Sequence, residues 1–370
     1  MKLTLLNKAL FLDLVTAFPL GGLGNLGILE VRDNGGNKYH DDKDYRTIRV
    51  RPGELIQDAI NKASPRDRIV VSPGTYAEQV SIDKDGISLV GFGATIIPPD
   101  HFVPNGCTGL AGNGTEAGIC VFGSGLELAP FVFEHRKVLS VAKPVKDVSV
   151  IGFQVSNFVG ENIAVVGAEN TRVARNRLIN GERYGFLTTG AYDTLVTDNI
   201  MVGPTGLGDI GLCMDDFAGV EVSRNRISGY RIGLCVQTPE ADVHDNDVSE
   251  GCVGAFIDPG IVGARIVQNH ITGNSDPDSC LSFGLNTGVI IDGAVNSTVQ
   301  GNTIEGETNA AGQGAGIVIV DEPGSIASGN AVIGNTLRHN DLDLYVNSTG
   351  TGNVLDSNRC STSFPDGLCA

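Results

Sequence analysis

One segment recurs along the chain with a glycine at its head, and that recurrence leaves few folds open. GLCMDD, GLCVQT, GAFIDP and GVIIDG begin at Gly211, Gly233, Gly254 and Gly288, at intervals of 22, 21 and 34 residues. Each repeats the pattern Gly-apolar-x-apolar-polar. A second short strand-like segment ending in Asn follows, as in VEVSRN, ARIVQN and STVQGN. Alternation along a strand turns Leu212 and Met214, Leu234 and Val236, Ala255 and Ile257, and Val289 and Ile291 inward. Two columns then face outward: Cys213, Cys235, Phe256 and Ile290, and beside them Asp215, Gln237, Asp258 and Asp292. A period in the twenties, with no helical pattern between strands, specifies a strand solenoid. The chain is therefore read as all-β, a single parallel β-helix of about ten coils with carboxylates on an outer sheet.

Composition agrees. Gly is 50 of 370 residues and Trp is absent, while apolar content stays at 41%, which suits many short strands and tight corners. The net charge of −17 disfavours nucleic acid and anionic membranes as partners. Eight cysteines and three sequons, at Asn113, Asn296 and Asn347, point to an oxidising, secretory route and a secreted protein. Cys107 with Cys120 and Cys360 with Cys369 are the local disulfide pairs expected. Cys213 and Cys235 share a column position on successive coils, about 4.8 Å apart, within reach of a disulfide. Cys252 with Cys280 completes the set. Residues 1–45 read as leader and linker; their basic start and interrupted apolar run have the outline of a signal peptide. No stretch is long and clean enough for membrane insertion.

Residues 46–360 form the expected β-helix domain and 361–370 a tail or cap. Near its start, Glu54–Ala63 places Leu55, Ile56, Ala59, Ile60 and Ala63 at helical spacing, an amphipathic helix that caps the open solenoid end. Strands are expected at Thr47–Val50, Arg68–Val71, Gln79–Ile82 and Ile87–Val90. Residues 98–137 interrupt the pattern and read as a long inserted loop walling a groove. Asn176, Asn199, Asn225, Asn246, Asn269 and Asn302 recur at one position, continued by Asn330 or Asn335 and then Asn358, as a structural corner ladder.

The segment from Ile48 to Ile97 resembles the opening coils of right-handed parallel β-helix proteins of the pectin-lyase-like superfamily. Ile56-Gln57-Asp58-Ala59-Ile60 and Pro73-Gly74-Thr75-Tyr76-Ala77-Glu78 are the residues that carry the likeness. The resemblance implies the right-handed fold and leaves the chemistry open. Asp215-Asp216 matches the Asp pair of the polygalacturonase branch, but the Gly-His-Gly and Arg-Ile-Lys motifs of that branch are missing. The Asp-Pro-His-Asp motif of mannuronan epimerases is missing as well, the nearest text being His244-Asp245-Asn246-Asp247.

Asp215, Asp258 and Asp292 are the candidate catalytic residues. Asp258 and Asp292 should be neighbours about 4.8 Å apart, with Asp215 two coils from Asp258 across Gln237. Like charges so close raise one another's pKa, the arrangement that general acid–base catalysis uses. Turn-forming aspartates before Gly or Pro give the competing structural reading of Asp258 and Asp292. Gln237, Arg183, Asp209, Arg231, Tyr184 and Phe256 are the candidate substrate-binding residues. Asn286 sits at the same corner as Arg183, Asp209 and Arg231, and Phe217 and Tyr230 are further aromatics beside the sheet. The histidines share no column and no zinc spacing occurs. No cofactor or metal is therefore expected, and calcium on Asp258 and Asp292 ranks below a metal-free site. The expectation is a secreted carbohydrate-active enzyme with a glycan substrate, a hydrolase before a calcium-assisted lyase or epimerase. A non-catalytic glycan-binding or cell-surface β-helix is the alternative from another class.

Overall fold

The computed structural model describes residues 45–273, 277–280 and 286–369. The expected leader, apart from Tyr45, lies outside the described residues. Three parallel sheets of 12, 10 and 11 strands share one core. Between the ends each coil contributes one strand to each sheet, and successive coils pair in register, which makes the molecule a right-handed parallel β-helix. The 11-stranded outer sheet holds the recurring segment. In it Leu212, Leu234, Ala255 and Val289 align on successive strands, as do Cys213, Cys235, Phe256 and Ile290. The inward set is buried in the main core.

The glycine heading each repeat has a steric cause. A Cβ on Gly211, Gly233, Gly254 or Gly288 would overlap Ile227, Val248, Ile271 or Ile304 respectively, the core residues of the neighbouring sheet. It would also stand 2.5–2.8 Å from the carbonyl oxygen of the next glycine in the column. Only a residue without a side chain lets the outer strands pass so close to the core.

The asparagines form a continuous ladder from Asn176 through Asn199, Asn225, Asn246, Asn269, Asn302 and Asn335 to Asn358. Each side-chain oxygen accepts from the backbone and side-chain amides of the coil before it, at 2.8–3.1 Å. Asn335 continues this series, whereas Asn330 starts a second, shorter ladder onto Asn353.

At the amino-terminal end the helix α1 spans Ile56–Lys62, shorter than the periodicity predicts. Leu55 becomes its N-cap and is exposed, because the backbone there is still extended. The cap comes from Glu78, which accepts from the amides of Ile56 at 2.8 Å and Gln57 at 3.1 Å. The Gln57 side chain in turn accepts from Ser81 N–H at 2.7 Å and donates to Ser81 C=O at 3.2 Å. The two motifs behind the family resemblance thus bind helix to first coil.

Residues 98–137, expected to be one loop, contain two strands. Ile119–Phe122 joins the outer sheet between Val80–Ile82 and Glu161–Val166. Ser124–Leu128 pairs antiparallel with Val138–Lys143, forming a hairpin whose Leu126, Val138 and Val141 pack on the outward face of the outer sheet. Disulfides join Cys107–Cys120, Cys213–Cys235, Cys252–Cys280 and Cys360–Cys369, with Cα separations of 6.0, 4.5, 5.4 and 5.3 Å. Among the described residues no helix is long and apolar enough to cross a membrane.

Candidate functional site

The polar column stands on the outer sheet at the ends of successive strands, since Met214, Val236, Ile257 and Ile291 pair immediately before its members. Gln237 Nε2 donates to Asp258 Oδ2 at 2.7 Å, linking two coils. Asp215 lies one coil before Gln237, so it and Asp258 flank the glutamine. Asp292 follows Asp258 on the next coil and is buried.

The hairpin tip closes over this column. His135, almost fully buried, sets Nε2 at 3.0 Å from Asp215 Oδ2 and Nδ1 at 3.1 Å from the Tyr184 hydroxyl. The Lys137 ammonium lies 3.5 Å from both Asp215 Oδ1 and Gln237 Oε1. Glu134 Oε2 accepts from Gln237 Nε2 at 2.7 Å. None of these three residues stands out in the sequence as a site residue. The one available signal is the charged run Glu134–Lys137 closing a disulfide-stapled insertion.

The two central carboxyls therefore meet opposite surroundings. Asp215 faces an imidazole and an ammonium. Asp258 is pushed well above the usual carboxylate range by burial and then by the charge of Glu134, against the opposing pull of Lys137; Asp215 and Asp292 add further repulsion. Burial, with Glu322 and Asp321 nearby, raises Asp292 to about 6. Asp216 is buried on the other side of the strand end. It accepts from Thr188 Oγ1 at 2.7 Å and Ala191 N–H at 3.1 Å, the role of a structural corner residue.

Arg183, Asp209 and Arg231 do come together. Arg183 pairs with one oxygen of Asp209 and Arg231 reaches the other at 2.6 Å. Arg183 also approaches the Glu134 carbonyl oxygen at 3.5 Å, so the trio braces the hairpin. Asn286 is buried, donating to the Thr308 carbonyl. Tyr184, a candidate substrate-binding residue, and Tyr230, the further aromatic beside the sheet, both have buried rings. Tyr184 instead holds His135. Phe256 is partly buried in the cysteine column. The exposed aromatics near the sheet are Phe131 and Phe133 on the hairpin tip, and Phe217 packed on Tyr192 with centroids 5.3 Å apart.

The soft donors among the described residues are already occupied. All eight cysteines are paired. Met201 and Met214 are buried in the core. One cluster of metal-ligating side chains occurs among the described residues, Glu134, His135 and Cys213, with candidate donor atoms within 4.8 Å of one another. Its sulfur is tied up in a disulfide.

Solved structures with this fold include a family 28 exopolygalacturonase of Yersinia enterocolitica, 13% identical, with 86% of this chain and 76% of that one covered at a TM-score of 0.56. The A-module of the mannuronan C-5 epimerase AlgE4 from Azotobacter vinelandii is 14% identical over 83% of this chain and 94% of its own, with a TM-score of 0.55. DFA-IIIase from Arthrobacter chlorophenolicus A6 is 14% identical over 80% and 86%, with a TM-score of 0.53. At such identities the likeness is one of fold. No curated protein sequence matches the chain. A family profile does match, over residues 136–279 and again over 208–362, as its repeats overlap on the solenoid. With most of the solenoid covered, the chain belongs to the NosD family, described as periplasmic copper-binding proteins.

Proposed function

We propose that the protein is an extracytoplasmic carbohydrate-active enzyme that hydrolyses a glycosidic bond at the polar column, where the hairpin tip meets the outer sheet. Asp258 serves as general acid and Asp215 as general base. The observation that carries this reading is the contrast between two carboxyls flanking Gln237. Burial and negative neighbours push Asp258 toward its protonated form, while Asp215 faces His135 and Lys137. Gln237 occupies Oδ2 of Asp258, which leaves Oδ1 to carry the proton toward substrate. Two coils separate the pair, about 9.6 Å of backbone, close to the roughly 6.5–9.5 Å between carboxyls of inverting glycosidases. Asp292 acts through Asp258, as a neighbouring negative charge that raises its pKa. Four disulfides and the periplasmic family description support the location.

Lys137 favours a second reading, elimination from or epimerisation of a uronate, because its ammonium supplies at the column the cation that an acidic sugar requires. A panel of neutral and uronate glycans separates the two. New reducing ends without ultraviolet absorbance support hydrolysis; unsaturated products, or inverted uronates without chain cleavage, support the second reading. Binding without turnover across the panel overturns both and leaves a non-catalytic glycan-binding protein. Copper, raised by the family description, does not fit the site at His135 while the Cys213–Cys235 disulfide is closed. His135 is engaged at both ring nitrogens, and no thiol or methionine is free beside it among the described residues.

A further inference from the structure

We infer that the hairpin supplies the positioning residue of the general base: His135, a neutral imidazole with its proton on Nε2, holds one oxygen of Asp215 and leaves the other to water. The inference rests on the reading of Asp215 as general base and deepens it by assigning a proton to each atom. Asp215 Oδ2 lies 3.0 Å from His135 Nε2 and 3.4 Å from Thr189 Oγ1. Oδ1 faces the Lys137 ammonium at 3.5 Å, and the Asp215 side chain is 13% exposed. The imidazole itself is buried.

The Tyr184 hydroxyl decides where the proton sits. It is buried, and among the described residues its one hydrogen-bond partner is His135 Nδ1, at 3.1 Å. A phenol has a single proton to donate. His135 can be protonated on Nε2 alone, on Nδ1 alone, or on both. The last two states put a proton on Nδ1, so Tyr184 must accept it and its own proton is left buried without an acceptor. Glu134 on the hairpin turns its carboxylate to Gln237 Nε2 instead, at 2.7 Å. Only the Nε2–H tautomer lets Tyr184 donate to Nδ1 while His135 donates to an ionised Asp215, with both buried protons used. The ring then adds no charge beside Asp215 and fixes the carboxylate by its own orientation. In the reaction an O–H bond of the attacking water breaks and its proton goes to Asp215 Oδ1. The water oxygen bonds to the anomeric carbon as the glycosidic bond breaks, and Asp258 protonates the departing oxygen. The His135 proton stays on Nε2 throughout, so His135 positions the base and exchanges nothing.

Nitrogen NMR of the full chain, with isotope in the histidine rings, tests the assignment at neutral pH without any substrate. The His135 signals are those absent from His135→Gln, whose fold circular dichroism verifies; if that variant does not fold, they are those coupled through space to the Tyr184 ring. The expected result is one protonated nitrogen, Nε2, and an Nδ1 resonance that shifts when Tyr184→Phe removes its donor. Two protonated nitrogens overturn the inference alone, since Asp215 would still be an ionised base, beside an imidazolium. A proton on Nδ1 alone overturns it together with the reading of Asp215 as base, because Asp215 would then be the donor. An Nδ1 resonance unmoved by Tyr184→Phe also overturns it. With a glycan that is turned over, activity separates positioning from packing. His135→Leu is expected to lower kcat by about 10²-fold at unchanged KM. His135→Gln, which keeps an N–H near the Nε2 position, should recover most of that loss. Equal losses in the two folded variants would reduce His135 to a packing residue and overturn its positioning role.

Discussion

Asp215 and Asp258 are the same side chain in two settings, and the reading of the site depends on that difference. An amide at position 258 keeps the hydrogen bond with Gln237 but carries no transferable proton. Asp258→Asn is therefore expected to lower kcat by about 10²–10⁴-fold with an unchanged melting temperature. Retained activity would return Asp258 to the role of a turn former. Asp292 gives a different prediction. Above its pKa of about 6 it is ionised and raises that of Asp258. Asp292→Asn removes that charge, lowers the Asp258 pKa and moves the basic limb of the pH–rate profile to lower pH. An unmoved basic limb would show that Asp292 does not tune the acid.

At the scale of elements, two features position this site: the glycine column and the hairpin. The column lets the outer strands lie against the core, and a methyl group at Gly233 would meet Val248 and, at 2.8 Å, the Gly254 carbonyl oxygen. The carbonyl, being backbone, cannot move without displacing its coil. Gly233→Ala should destabilise the protein by about 1–3 kcal/mol, measured by denaturant unfolding; a silent substitution would mean the coils are loosely packed there. The glycines, the aspartate column and the cysteine pairs were legible because a solenoid converts sequence period directly into spatial register. Glu134, His135 and Lys137 were not. Their partners lie 49–103 residues away, across coils whose register says nothing about how far a hairpin leans. Tyr184 was misread for a related reason: alternation shows that a side chain leaves the core, but not that the insertion covers it again.

For the whole molecule, coils that contact only their neighbours but share one continuous core are expected to unfold together. Limited proteolysis should yield no pair of stable folded halves divided near residues 98–137. The response to pH follows from buried carboxyls. Burial raises Asp216 and Asp292 to about 6, and Glu161 and Glu307 to about 8. Unfolded, such groups titrate near 3.9 and 4.3. Between those values and the folded ones the native chain binds more protons, so stability falls as pH rises, and the loss is complete above about 8. Asp321 has the opposite sign. Burial works to raise it, but hydrogen bonds from Ser348 and Thr349 hold it at about 2, so its contribution is lost as pH falls from near 3.9 toward 2. Tm should therefore peak near pH 4–5 and decline steadily to pH 8. Repulsion within a chain of net charge −17 would give a similar decline, but salt screens surface charge far more than buried charge. In high salt the decline should persist in the wild type and flatten between pH 6 and 8 in Glu161→Gln/Glu307→Gln. A decline that salt abolishes, or that the double variant retains in full, would place its origin on the surface.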